Sequence, residues 1–238
     1  MLEAALWGLV TAGSLLVGWA FAAYARPGSR WIGAALAFGS GALIAAVAYE
    51  LVLEAFESDL EFAAIGFTAG ALAFYVGDWA IDRRGGHGRK SMHGEDQLAG
   101  SAFAIVLGTI LDGIPESFVL GASLHEGSIA VAVVVGVFVS NVPEALSGTS
   151  GLLQAGWART RVLQMWSAVV AISVLAAAVG WWALESMPAA TGAFALAFAG
   201  GALLVMLADT LMPEAFALGG REAGLLTALG FALGFSLS

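Results

Sequence analysis

The 238-residue chain has no cysteine, three histidines and nine basic residues. Without cysteine there is no disulfide framework, no thiolate metal site and no nucleophilic thiol, and the redox compartment leaves no mark on the sequence. Charged residues make up 11% of the chain, where soluble domains carry about 25%, so a soluble globular enzyme is excluded. The net charge of −9 argues against nucleic acid, whose phosphates need a basic surface. What the chain has in abundance is apolar: 60% hydrophobic residues, 32 Gly and 8 Trp, with a mean hydropathy of +0.89.

About 20 apolar residues cross ~30 Å of hydrocarbon as a helix. Apolar windows at 4–25, 31–56, 62–81, 98–124, 128–152, 162–184, 190–217 and 221–238 predict eight spans. The chain therefore reads as an all-α integral membrane protein forming one polytopic domain over residues 1–238. Its only long polar connection, 82–97, is a loop between spans 3 and 4. Glu3, with no Lys or Arg ahead of the first run, argues against a cleaved leader, so that run is kept as span 1.

The basic residues set the orientation. Arg26 and Arg30 fall in loop 1, Arg83, Arg84, Arg89 and Lys90 in loop 3, Arg159 and Arg161 in loop 5, and Arg221 in loop 7. All lie on one side, so the positive-inside bias makes that side cytoplasmic and both termini extracytoplasmic. His87 and His93 in loop 3, amid four cations, read as part of a solvated basic loop. His125 beside Glu126 reads as a surface turn at the outer end of span 4.

Residues 38–56, FGSGALIAAVAYELVLEAF, align with 198–216, FAGGALLVMLADTLMPEAF, 160 positions on, with nine of nineteen identical. Spans 2 and 7 cross in opposite senses in this topology, which makes the repeat inverted. A second inverted pair lies between them, Ile114-Pro115-Glu116 in span 4 against Val142-Pro143-Glu144 in span 5. The whole is a 3+2+3 inverted-repeat bundle, the design by which many transporters build a midplane site open alternately to each side.

Asp112 and Glu116 stand at i and i+4 on span 4. Ser140 and Glu144 do the same on span 5, with Asn141 three residues before Glu144. Pro115 and Pro143 each lack an N–H and clash with the carbonyl four residues back, so both spans are expected to kink there and free carbonyl oxygens. A carboxylate near the bilayer centre costs about 2.5–3.5 kcal/mol. Glu50, Asp112, Glu116, Glu144 and Asp209 all fall inside spans that hold no Lys or Arg. Protons, cavity water or bound metal cations must offset that cost. Glu54 and Glu214 close spans 2 and 7 as symmetry mates; with Glu50 and Asp209 they are the candidate entrance and exit residues.

These residues resemble the ZIP (Zrt/Irt-like) divalent-metal transporters, a family of eight spans with both termini outside and a long cytoplasmic loop after span 3. Where the family has His-Asn-x-Pro-Glu-Gly in span 4, this chain has Asp112-Gly113-Ile114-Pro115-Glu116-Ser117. The span 5 pattern, His or Gln, then Asn or Asp, x, Pro-Glu-Gly, is met by Ser140-Asn141-Val142-Pro143-Glu144-Ala145. The resemblance implies a metal site of Asp112, Glu116, Ser140, Asn141 and Glu144, with Glu116 and Glu144 sharing metal and Asn141 giving an amide oxygen. Both histidines of the pattern are replaced, and no acid stands between Arg161 and Glu185, where some members place a span 6 glutamate. Such an all-oxygen set shifts expectation from Zn²⁺ toward Mn²⁺, Fe²⁺ or Mg²⁺.

The function expected is thus transport of a divalent metal cation across the plasma or inner membrane by alternating access. The metal is substrate, with no resident cofactor. Expected partners are that cation, the lipid bilayer, protons as a candidate coupling ion and a second copy as a candidate homodimer partner. A non-transporting ZIP-like sensor or receptor is the alternative. An intramembrane enzyme is third, because no His-Glu-x-x-His or Ser–His pair lies in the spans.

Overall fold

The computed structural model describes residues 2–25, 27–86, 102–124 and 131–238, and the side chains of all of these except 102–105. His87, His93, Arg89, Lys90, His125, Glu126, Arg26 and the loop from 87 to 97 lie outside the described residues. Among the described residues helix is the only regular structure, in eight rods: α1 (Leu2–Ala25), α2 (Ser29–Ser58), α3 (Leu60–Gly86), α4 (Ala102–Ser123), α5 (Val131–Gln154), α6 (Arg159–Ser186), α7 (Ala189–Gly219) and α8 (Glu222–Leu237). Six of them, α1, α2, α3, α5, α6 and α7, are long and apolar enough to cross a membrane, the build of a multi-pass membrane protein.

Local chemistry explains several boundaries. The Asp59 carboxylate accepts the backbone N–H groups of Glu61 and Phe62, both at 3.1 Å, and so caps the start of α3. Gly156 (φ 86°) and Gly220 (φ 61°) supply the left-handed residues that turn α5 into α6 and α7 into α8. The end of α3 differs from the expected loop start at 82. Asp82 still donates its N–H to the Asp78 and Trp79 carbonyls, Arg84 donates to the Ala80 carbonyl at 3.0 Å, and helical backbone continues past 82 until Gly85 breaks it with a left-handed φ of 91°.

Glycines set how closely the rods approach. A Cβ on Gly41 of α2 would overlap the Thr227 carbonyl oxygen of α8, and one on Gly230 would overlap that of Phe38. The same contacts recur 160 positions on: Gly201 of α7 meets the Phe67 carbonyl of α3, and Gly70 meets that of Phe198. Both pairs run parallel. The two copies themselves pack antiparallel, since Gly33 lies against Leu218 and Gly219 while Gly200 lies against Leu51 and Val52.

A second feature repeats at the same offset. α2 passes through a π-helical segment, Val47–Leu53, and α7 through another, Leu207–Leu211. In α7 the Met212 N–H reaches the Leu207 carbonyl five residues back. Single π turns inside α-helices carry an extra residue and are frequent at functional sites. α4 and α5 are α-helical on both sides of Pro115 and Pro143, each proline lying inside its helix.

The rods fall into two groups. One core cluster, built on Leu15, Ala145, Leu152, Met165, Trp166 and Val169, belongs to α1, α5 and α6, with Val106 and Ile110 of α4 packed against it. Against this group stand the pairs α2 with α8 and α3 with α7. The groups meet where α5 crosses α2 at small residues: a Cβ on Gly39 would come within 2.8 Å of Ser140 Cα, and Gly136 faces Ala42, Leu43 and Ala46.

Candidate functional site

Inside the first group, between α1, α4, α5 and α6, lies a small cavity of about 10 Å³. That is room for about one water or one ion. Thr109, Gly113, Glu116 and Ser117 form its α4 wall, at i, i+4, i+7 and i+8; Asn141 and Glu144 form the α5 wall; Trp166, Val169 and Ser173 come from α6, and Leu15 from α1. Glu116 is 3% exposed and Glu144 and Asn141 each 4%. The two Pro-Glu glutamates and the amide singled out in the sequence thus share one buried space.

Hydrogen bonds orient this lining. Asn141 Nδ2 donates to the Thr11 carbonyl of α1 at 3.3 Å, which leaves the amide's acceptor oxygen as the group available to a cation. Thr11 and Ser14, both buried, turn their hydroxyls onto α1 carbonyls, Thr11 onto Trp7 and Ser14 onto Thr11 itself. On the opposite wall the Trp166 indole N–H donates to Thr149 Oγ1 at 2.8 Å, fixing the ring that closes one side.

Two of the five expected ligands are not among the residues that line this cavity. Asp112 is 1% exposed but is not part of the lining; it sits on the flank of the 109–113–117 stripe. Ser140 donates its hydroxyl to the Val137 carbonyl at 3.0 Å, and its backbone packs on Gly39 of α2. Their i, i+4 partners, Glu116 and Glu144, line the cavity. Conversely, Thr109, Ser117, Ser173 and Trp166 line the cavity without having been singled out, since a serine or tryptophan in an apolar window carries no signal by itself.

The candidate entrance and exit residues separate. Glu50 and Glu54 are half-buried, Glu50 within the π segment of α2. Asp209 is exposed and lines an open pocket of about 430 Å³ with Tyr75, Asp78, Trp79, Asp82 and Arg83. It therefore shares an open pocket with Arg83, a basic residue carried by α3 and not by its own helix. Glu214, half-buried, accepts a hydrogen bond from Ser147 at 3.3 Å.

Among the described residues no group of three or more His, Cys, Asp or Glu side chains stands close enough to hold a metal ion. A cation in the cavity would draw on two carboxylates, Glu116 and Glu144, and complete its shell from neutral oxygens. Asn141 and the hydroxyls of Thr109, Ser117 and Ser173 supply these. Such a set is hard and oxygen-only. No family model and no curated protein matches this chain.

Proposed function

We propose that the protein is a carrier of divalent metal cations in the plasma or inner membrane, with eight spans in a 3+2+3 inverted repeat, both termini extracytoplasmic, and a ZIP-like origin. The observation that carries this reading is the convergence of Glu116, Asn141 and Glu144, from two Pro-Glu helices, on one buried cavity the size of a single ion. A buried pair of carboxylates is neutralised by protons or by a counter-charge, and a desolvated divalent cation is a counter-charge of the right size. Two further observations support alternating access. The Gly41–Thr227 and Gly201–Phe67 contacts repeat at the offset of the sequence repeat, and the site lies wholly in the group α1, α4, α5 and α6. Movement of that group against α2, α3, α7 and α8 would carry the cavity from one side to the other. The protein is accordingly read as no enzyme.

The test is uptake by proteoliposomes challenged with Mn²⁺, Fe²⁺, Zn²⁺ and Mg²⁺, with metal flux and internal pH read together. Mn²⁺ or Fe²⁺ flux above protein-free vesicles is expected, and an accompanying pH change would identify protons as the coupling ion. Saturable binding of those metals without flux would establish the sensor or receptor reading instead.

A further inference from the structure

The cytoplasmic-side ends of α1 and α6 carry an arginine and aromatic cluster that the metal site does not use. Tyr24, near the end of α1, is stacked under Arg159, whose Cζ lies 5.2 Å from the ring centroid. Trp19 meets the Tyr24 ring edge-on at 6.0 Å between centroids and donates its indole N–H to the Arg159 carbonyl at 3.3 Å. Arg161 lies over Trp157 with its Cζ 4.0 Å from the ring centroid. Both guanidiniums and Tyr24 are exposed.

Acids are missing from the segments that build this cluster. The sequence has none between Glu3 and Glu50 and none between Glu144 and Glu185. Among the described residues neither Arg159 nor Arg161 forms an ion pair; each rests on an aromatic face. Arg83 makes a useful contrast. It also stacks on a tryptophan, Trp79, at 4.0 Å, but it shares its pocket with Asp78, Asp82 and Asp209. Two exposed, pre-oriented guanidiniums, with no ion pair among the described residues, at the ends of two membrane-length helices present the donor fork that matches phosphate. Below them the exposed side chains of Val17 and Phe21 continue down α1 as an apolar ridge.

We propose that Arg159 and Arg161, held by Tyr24 and Trp157, bind the phosphate headgroup of an anionic phospholipid of the cytoplasmic leaflet, with an acyl chain along Val17 and Phe21. Anionic lipid gives that leaflet its negative surface potential. Aromatic rings belong at headgroup depth, so the stacks fix each guanidinium at the level of the phosphates. This rests on α1 and α6 spanning the bilayer and is independent of which metal, if any, is carried.

Native mass spectrometry of the full-length protein, released from detergent with phosphatidylglycerol, phosphatidylcholine or inorganic phosphate, tests it. Phosphatidylglycerol is expected to be retained at least ten-fold better than phosphatidylcholine. That preference should fall about ten-fold in the double variant Arg159→Gln/Arg161→Gln and stay unchanged in Arg83→Gln. Tyr24→Leu, which keeps both charges, should lose several-fold, and it decides the matter if the double variant does not fold. Equal retention of the two lipids, an unchanged preference in Arg159→Gln/Arg161→Gln or Tyr24→Leu, or displacement of the lipid by inorganic phosphate alone would overturn the proposal.

Discussion

Ser147 Oγ donates a hydrogen bond to Glu214 Oε1 at 3.3 Å, tying α5 to α7 one helical turn beyond Glu144. Ser147 is fully buried and Glu214 half-buried, so the bond stands between the cavity's Glu144 and the half-buried acid of α7. It also joins the group that holds the site to the group that would stay still.

Ser147→Ala should therefore favour the conformation open past Glu214. A hydrogen bond to a charged partner contributes about 1.5–3 kcal/mol when buried; with Glu214 half-exposed, about 1 kcal/mol is the appropriate scale, or roughly a five-fold shift in population. Ser150→Cys, one turn further along α5, reports it, because the chain has no native cysteine. Thiol labelling of Cys at that position from the membrane side nearer Glu214 should speed up about five-fold in the Ser147→Ala background. An unchanged rate means the bond does not hold the passage shut.

The π segment just before Glu214 makes a second prediction. A π turn accommodates one extra residue while the helix on either side keeps its facing. Deleting Ala208, exposed within Leu207–Leu211, should relax the segment to α-helix and leave a folded protein that has lost most of its flux. Deleting Leu204, in the regular α part of α7, rotates the remainder by about 100° and should abolish folding. Equal tolerance of both deletions, judged by gel filtration and thermal midpoint, would mean that the π turn has no special place.

Close packing at the repeat-related glycines should show as matched losses of stability. A Cβ at Gly41 or Gly201 runs into a backbone carbonyl of the neighbouring rod, and overpacking of this kind costs about 1–3 kcal/mol. Gly13 has nothing within 4 Å of its would-be Cβ, so Gly13→Ala should be neutral or gain up to about 1 kcal/mol of helix propensity. Thermal unfolding in detergent separates these: Gly41→Ala and Gly201→Ala both lower, by similar amounts, with Gly13→Ala at or above wild type. A loss confined to one of the two would break the equivalence of the repeats.

Asp112 is buried but stands outside the lining. Its replacement by Asn should cost yield and thermal stability, on the scale of the about 1.5–3 kcal/mol assigned to hydrogen bonds with charged groups, while the ratio of Zn²⁺ to Mn²⁺ uptake in the surviving protein stays at the wild-type value. A changed ratio would return Asp112 to the metal's ligand shell.

Much of this was legible in the sequence because apolar runs and Gly spacing are direct imprints of packing. The 160-residue offset read from identities such as Gly41 with Gly201 reappears as the offset between contacts and between π segments. Spacing within one helix, however, fixes only which residues share a face. It placed Glu116 and Asp112 together, whereas the position of α6 decides which of them meets the cavity. The same limit hid Thr109, Ser173 and Trp166, whose side chains matter only because three other rods arrive beside them. The π segment in α2 has no proline to announce it; Val47–Leu53 looks like any apolar turn until its hydrogen bonds are traced.

Metal uptake by proteoliposomes containing Glu116→Gln or Glu144→Gln, measured beside wild type at matched insertion, bears most directly on the carboxylate pair. Gln keeps the shape of the side chain and its hydrogen-bonding reach but removes the charge that would hold a divalent cation in a cavity with no third acid. Each variant is expected to fold, insert and lose at least ten-fold of the wild-type divalent-metal flux. Wild-type flux in both variants would contradict the assignment of the Glu116 and Glu144 cavity as the transport site.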